Sequence, residues 1–420
     1  MTPALSLLRS ERHARWFFVA LAQSALGTGA GYVALLVVAY DRLHSPWAIS
    51  LVLLADFAPA MVLGPLLGAA ADRWSRRRCA VLADAVRAVA FVGVALAGSL
   101  AATVAFALVA GVGTALFRPA TMAALPSLVR EERSAAATSL YGATSQAGFV
   151  AGPALAALAL LAVGPEELLL ANGATFAISA AILARLRFGA PVADAARPAA
   201  GRSLLAEARE GLAALAGMPL LRLIVAASAI GALLGAVYNV VELPFATDEL
   251  GSGTAGYAAL AAAYGLGFVG GSLRGSGGDA LSLKRGFVRG LALLGAGGLA
   301  IGVSPAIGPA VAAFAVAGCG NGLAVVHERL LLQSEVAPRL HGRAFAAVEW
   351  LAAWGFVAGF LLAGVLTALT DPRELMLLNA GAEIALAAVA AMALLRPRAA
   401  GYEASAFAVA TPAIETPYGE

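Results

Sequence analysis

Residues 64–78 read GPLLGAAADRWSRRR, and this stretch ends a long apolar run abruptly in one acid and four arginines. Gly64 and Gly68 are four residues apart, so on a helix they share a face and allow a second backbone to approach closely. Hydrocarbon holds arginine only at a high energetic cost, and positive clusters beside a spanning helix stay on the cytoplasmic side. The stretch therefore predicts a turn of the chain at the cytoplasmic surface of a membrane.

The composition indicates an integral membrane protein, with 61% hydrophobic residues, 13% charged residues and a mean hydropathy of +0.85. The net charge of +3 is spread over short clusters, which argues against a nucleic-acid partner. Cys79 and Cys319 lie in apolar segments without His or Cys neighbours at metal spacing, so we expect no metal site and no cofactor. The sequence has no catalytic constellation and no phosphate-binding loop, which disfavours an enzyme and an ATP-driven pump.

The chain contains twelve apolar runs of the length that crosses a bilayer, about twenty residues. They lie near residues 16–40, 47–71, 79–98, 101–125, 138–163, 167–187, 220–245, 254–275, 285–303, 306–331, 344–369 and 374–395. We therefore predict an N-terminal six-helix bundle over residues 1–187, a cytoplasmic linker over 188–219 and a C-terminal six-helix bundle over 220–395. The tail, residues 396–420, mixes Ala, Pro, Thr and acids without a period, which predicts disorder on the cytoplasmic side.

The distribution of basic residues supports this topology, because cytoplasmic loops should hold the arginines. All but four of the 28 basic residues fall on one side of the predicted spans. Arg42 and Arg373 fall on the other side, and Arg87 and Arg118 lie inside spans. We therefore expect a multi-pass protein of the inner (cytoplasmic) membrane, with both termini in the cytoplasm.

A second regularity is an internal repeat with an offset of 207 residues and no gap. The pentapeptide GFVAG at Gly148–Gly152 recurs at Gly355–Gly359. The polar residues Asp72, Ser75, Arg78 and Asn172 fall on Asp279, Ser282, Arg285 and Asn379. The predicted fold class is therefore an all-α membrane protein with twelve transmembrane helices in two pseudo-symmetric six-helix bundles.

The motif formed by Gly68, Asp72, Arg73, Ser75 and the arginines 76–78 resembles the signature loop of the major facilitator superfamily, although Ser75 stands where a glycine is usual. The resemblance implies two parallel halves with the substrate path between them. It also implies a cytoplasmic gate, made of Gly68, Asp72, Arg73, Arg76 and Arg77.

A glycine element in the fifth span, Gly148, Gly152 and Pro153, resembles an antiporter motif of that superfamily, with Ala156 and Ala157 replacing its last two glycines. It implies close packing across the seam between the halves, together with the repeat glycines Gly355 and Gly359. A plain helix-packing stripe is the alternative. Short segments such as Phe117–Ala120 and Leu125–Val129 look like the enterobactin-exporter branch, which exports siderophores and drugs.

In the superfamily, spans 1, 4, 7 and 10 line the cavity. The resemblance thus implies a cavity lined by Gln23, Thr28, Tyr32, Thr114, Arg118, Tyr238, Asn239 and Asn321. Carboxyls inside spans are costly and persist with a partner or a role, so Asp56 and Glu242 are the candidates for proton coupling. The alternatives are that Asp56 faces water or pairs with Arg118, that Glu242 simply reaches water, and that Asp84 and Arg87 neutralise each other.

The favoured hypothesis is a monomeric, proton-coupled antiporter for efflux of an amphipathic small molecule, namely a drug, a siderophore or a secondary metabolite. Such a protein confers drug resistance, and its partners are the lipid bilayer, the substrate and protons. A nutrient importer or facilitator on the same fold is the alternative, and a non-transporting membrane sensor is a third hypothesis.

Overall fold

Twelve long α-helices, numbered α1–α12 in chain order, dominate the computed structural model, which describes residues 3–186, 188, 219–275, 277–336 and 341–395. A short helix, Pro3–Ser10, precedes them. The first six are Arg12–Leu43, Pro46–Arg73, Arg76–Leu96, Leu100–Ala124, Ser134–Ala159 and Pro165–Arg185. The second six are Pro219–Pro244, Gly253–Arg274, Ala280–Gly302, Ile307–Glu335, His341–Leu366 and Pro372–Leu395. Each predicted span falls on one helix, and the predicted all-α membrane fold is confirmed.

Ten of these helices are long and apolar enough to cross a membrane. Local sequence explains several of their ends. The Ser99 side chain accepts a hydrogen bond from the Ala102 N–H and caps α4. Pro165 begins α6, followed by Glu166 and Glu167, whose charges suit the positive end of the helix dipole. His44 ends α1 in the left-handed conformation, with φ 47°.

The two halves pack their helices in the same order. In the first half α1 packs on α5 and α6, α2 on α4, and α3 on α4 and α6. In the second half α7 packs on α11 and α12, α8 on α10, and α9 on α10 and α12. The contacts between the halves, α2 with α11 and α5 with α8, are also related by this exchange. The repeat in the sequence is therefore a repeat of tertiary packing.

Among the described residues, the buried apolar contacts between the halves are concentrated at one end of the bundle. We call the end that carries Arg12 and Leu395 the terminal end, and the opposite one the far end. The largest buried cluster draws on both halves and lies at the far end, where it includes Val37 and Ile49 of the first half and Val240 and Leu260 of the second. The two buried clusters at the terminal end each contain residues of one half alone. The described structure is thus closed at the far end.

The motif of residues 64–78 and its repeat differ in local structure. Helix α2 continues to Arg73, whereas α8 ends at Arg274, six residues earlier in the repeat register. Asp279, the repeat of Asp72, therefore lies outside a helix and caps α9, where its carboxylate accepts a hydrogen bond from Ser282 N–H at 3.1 Å. Hydrogen bonding to Ser282 lowers the pKa of Asp279. Ser75 has φ −62°, so this turn does not require the glycine that is usual there.

Candidate functional site

One of the two helix contacts that form the seam joins α2 and α11, and its side chains are aromatic. Phe57 of α2 lies against Phe356 and Phe360 of α11, with ring centroids 6.1 and 5.5 Å apart. These distances are typical of attractive aromatic pairs. Near the end of this contact, Trp47 lies against Gly364. The seam beside Asp56 is therefore apolar and rich in polarisable rings.

Two carboxyls lie at or beside this seam without a hydrogen bond or ion pair to any described residue. Glu242 of α7 is 8% exposed, and its Oε1 is buried and unpartnered. Asp56 of α2 is half-buried. Tyr32 of α1 interacts electrostatically with both carboxyls, and Tyr257 of α8 interacts with Glu242 and Tyr32. Residues from both halves therefore surround these two acids, and Glu242 is buried in the described state.

Between these two carboxyls and the far-end surface, a hydrogen bond joins the two halves. The Tyr40 hydroxyl donates to Asp248 Oδ2 across the seam. Asp248 belongs to a π-helical turn, Phe245–Glu249, that follows Pro244. Arg373 of α12 holds this turn by pairing with Glu249 at 3.3 Å and by donating to the carbonyls of Gly302 and Ser304.

Toward the terminal end, one ion pair among the described residues crosses between the halves. Arg118 Nη2 of α4 lies 3.4 Å from Glu349 Oε1 of α11, and the two side chains are 69% and 61% exposed. Arg118 therefore pairs with Glu349 and not with Asp56. Glu349 was not singled out in the sequence, although it lies seven residues before Phe356 and shares its helix face, which was the available signal.

Three of the residues that we predicted to line the cavity form hydrogen bonds within one half. The Gln23 amide donates to Thr175 O of α6 at 2.9 Å, and Tyr238 donates to Glu383 of α12 at 3.4 Å. Asn321 donates to the Tyr264 hydroxyl of α8 at 2.8 Å. Of the other five, Arg118 pairs with Glu349, Thr28 and Thr114 are exposed, and Tyr32 and Asn239 are half-buried.

The glycine element packs differently from the prediction. A Cβ on Gly152 would lie 2.6 Å from the Ala30 nitrogen, and one on Gly148 would lie 2.6 Å from the Ala25 oxygen, so both glycines face α1 of their own half. Gly355 and Gly359 likewise face α7, and Pro153 lies within α5. At the seam, Val150 of α5 lies against Gly265 of α8. Placing these glycines at the seam was wrong, because the helix that comes closest to α5 is α1.

The predicted gate lies only partly within the described residues. The backbone of Gly68, Asp72 and Arg73 is helical, but the side chains of Asp72 and Arg73 lie outside the described part of the structure. The side chains of Arg76 and Arg77 are half-buried and exposed, respectively, in the first turn of α3. The assignment of these five residues to a gate therefore stays a prediction.

The family model that matches this sequence is that of the Major Facilitator Superfamily, over residues 17–348. The chain belongs to the major facilitator superfamily. This membership makes it a multi-pass membrane transporter, as the resemblance of its loop motif implied.

Curated relatives include a named pump within the superfamily. The multidrug efflux pump Tap of Mycobacterium tuberculosis (strain ATCC 25618 / H37Rv) is 28% identical over 363 residues, or 82% of this chain and 84% of Tap. The uncharacterized MFS-type transporter YfiS of Bacillus subtilis (strain 168) is 29% identical over 216 residues, or 51% of this chain and 52% of YfiS. The superfamily member described here therefore spans about half the length of YfiS and most of Tap.

Solved structures agree with the superfamily fold. A bacterial homolog of the human lysosomal transporter Spinster, in an inward-facing and unoccupied conformation, superposes with a TM-score of 0.72 at 16% identity, over 93% of this chain and 100% of that one. The nucleoside transporter NupG superposes with a TM-score of 0.73 at 15% identity, over 92% of this chain and 100% of NupG. At these identities the similarity shows the fold alone.

Proposed function

We propose that this transporter is a proton-coupled exporter of amphipathic small molecules in the inner membrane, with its terminal end in the cytoplasm. The observation that carries the proposal is the pair of unpartnered carboxyls, Asp56 and Glu242, beside a contact that must open for transport. An ionisable group in a membrane span without a partner is a functional group by default. The relationship to the efflux pump Tap supports export over import.

The proposed cycle follows from the closed far end. If the halves rock about the seam, the far end opens while the terminal end closes, and the Tyr40–Asp248 hydrogen bond breaks. Asp56 and Glu242 then meet water on the far side, where protons are taken up. Return to the described state carries these protons to the cytoplasmic side. Substrate leaves in the opposite direction, having been held against aromatic side chains such as Phe57 and Phe356.

The direct test uses everted membrane vesicles from a host that lacks its own efflux pumps. Respiration acidifies the lumen of such vesicles, so a proton-coupled exporter should concentrate ethidium or a similar amphipathic dye inside them. A protonophore should release the dye, and vesicles without the protein are the control. Accumulation confined to right-side-out vesicles would instead support a nutrient importer. Absence of gradient-driven transport in both orientations would contradict the proposal.

A second prediction concerns Asp72, which we propose as the acid of the cytoplasmic gate. In the superfamily this acid meets the start of the eleventh span, where helix-end amides favour a negative charge by about 0.3–1 kcal/mol. Asp72→Asn should therefore slow dye transport several-fold in vesicles while leaving the amount of protein in the membrane near that of wild type. Asp279→Asn, in the capping repeat position, is the matched control. Wild-type rates in Asp72→Asn would remove Asp72 from the gate.

A further inference from the structure

The ion pair of Arg118 with Glu349 lies well inside two spans, yet both of its side chains are exposed. Arg118 is six residues before the end of α4 and Glu349 is eight residues after the start of α11, about 9 and 12 Å from those helix ends. The side chains are 69% and 61% exposed. Neither residue has a charged counterpart at its repeat position. The pair therefore crosses an open space between the halves and is not part of the repeated helix packing.

The position of this pair relative to the aromatic seam can be read along two helices. On α4, Gly111 is two turns before Arg118 and lies against the backbone oxygen of Asp56, beside the seam. On α11, Phe356 is two turns after Glu349 and shares its helix face. Two turns span about 10 Å. Along both helices, a carboxylate and a guanidinium therefore stand about 10 Å from the aromatic rings, on the terminal side.

The charges at the seam favour a positively charged ligand. Other charged groups deep in the spans are engaged within one half. Asp84 pairs with Arg87 on α3, and Glu328 and Glu383 each accept a hydrogen bond from a hydroxyl group of α7. The charged groups identified at the seam among the described residues are three acids, Asp56, Glu242 and Glu349, and one base, Arg118. An excess of one sign of charge in a cleft with low-dielectric walls attracts ligands of the opposite sign.

The two partners of the ion pair differ in what else they offer a ligand. Phe356 and Phe360 follow Glu349 on one face of α11, and the face of an aromatic ring attracts a cation. The residue two turns from Arg118 on α4 is Gly111, which has no side chain. Solvent-exposed ion pairs contribute little to stability, so a ligand can replace Arg118 at small cost. Carboxylate and rings on the same helix face thus suit a cation with an apolar body.

We propose that Glu349 is a specificity-determining residue that binds the cationic group of the substrate in place of Arg118. The apolar body of the substrate then lies against Phe57 and Phe356. The proposal rests on the proposed function and names its substrate class, which is organic cations whose charge lies about 10 Å from an aromatic or other apolar group. Without substrate, the guanidinium of Arg118 occupies the place of the ligand's cation.

The test measures the dye concentration that gives half-maximal accumulation in everted vesicles, with valinomycin and potassium present to remove the membrane potential. Ethidium is the cationic dye and Nile red the neutral one, and the readout is the ratio of their two values, in which a general loss of transport cancels. Glu349→Gln should raise the ratio of ethidium to Nile red about fivefold, the factor that one charge at contact distance contributes in water. Arg118→Gln removes the competing cation and should lower the ratio.

Two further variants serve as controls. Glu349→Asp keeps the negative charge and should retain most of the preference for ethidium. Glu335→Gln removes an acid of the terminal end that pairs with Lys284 inside the second half, and it should leave the ratio at the wild-type value. Thermal unfolding of the purified variants checks that each one folds.

The outcomes separate a role in specificity from a role in gating. If the ion pair only held the halves together, both substitutions would affect the two dyes alike, and an unchanged ratio would overturn the proposal. A ratio that falls in Glu349→Gln and rises in Arg118→Gln would also overturn it, because Arg118 would then be the ligand-binding partner. Gradient-driven accumulation of Nile red in these variants would leave the proposed function standing in either case. Wild-type vesicles that accumulate neither dye would reject the proposed function, and this inference with it.

Discussion

Replacing Gly152 by leucine should reduce transport at least about tenfold, because the new side chain has no space between α5 and α1. A Cβ alone would lie 2.6 Å from the Ala30 nitrogen, and backbone atoms cannot rotate away as a side chain can. Inserting bulk into a close-packed interface costs roughly 1–3 kcal/mol, and more where the partner is backbone. Because α1 and α5 belong to the same half, a distorted contact between them should keep that half from moving as a rigid body.

The measurement is downhill dye efflux from loaded cells, with thermal unfolding of the purified protein as the second readout. Gly142→Leu is the matched control, because Gly142 lies on the same helix, is exposed and has no atom within 4 Å of its Cβ position. The control should transport at a rate near that of wild type. Equal rates in both variants would show that the close approach of α5 to α1 is not needed.

The same glycines show where sequence reasoning reaches its limit. Spacing of four residues predicts a close helix contact, and such contacts exist at Gly148 and Gly152. The spacing does not say which helix lies opposite, and we predicted the wrong neighbour. The same limit applies to Gln23 and Tyr238, which form hydrogen bonds within their own halves, because the rotation of each helix relative to the seam is set by tertiary packing.

The length of the apolar runs, the positions of the charges and the internal repeat predicted the fold better than glycine spacing predicted helix neighbours. Apolar runs and arginine positions are one-dimensional signals that the bilayer enforces, so each predicted span falls on a helix. The matched pair Asn172 and Asn379 shows how the repeat extends to packing. Asn172 lies against Gly31 of α1, and Asn379 donates to Leu234 O of α7 at 3.1 Å, which is the equivalent helix pair.

The ion pair of Arg118 with Glu349 was missed because it joins residues more than two hundred positions apart, on helices that the sequence does not place side by side. The sequence likewise did not predict that the far end is closed. It depends on which of two packings of the same helices has the lower energy, and the described state includes the Tyr40–Asp248 hydrogen bond across the seam.

Asp56→Asn should abolish gradient-driven accumulation of dye in vesicles while preserving downhill exchange. The amide has the size of the protonated acid and stays neutral, so the halves can still rock, but no proton is carried. Loss of coupling should reduce the accumulation ratio to about one, which is the value for passive equilibration. Asp41→Asn, which changes an exposed carboxyl at the far end of α1, is the control and should accumulate dye as wild type does.

The two readouts together distinguish the possible roles of this acid. If Asp56 were needed for packing, both accumulation and exchange would fall, and the protein would unfold at a lower temperature. If Glu242 alone carried the proton, Asp56→Asn would accumulate dye normally and Glu242→Gln would not. Because Ala263 occupies the equivalent position in an otherwise equivalent helix pair, a packing requirement for the acid is disfavoured in advance. Loss of accumulation with retained exchange is therefore the outcome that assigns coupling to Asp56.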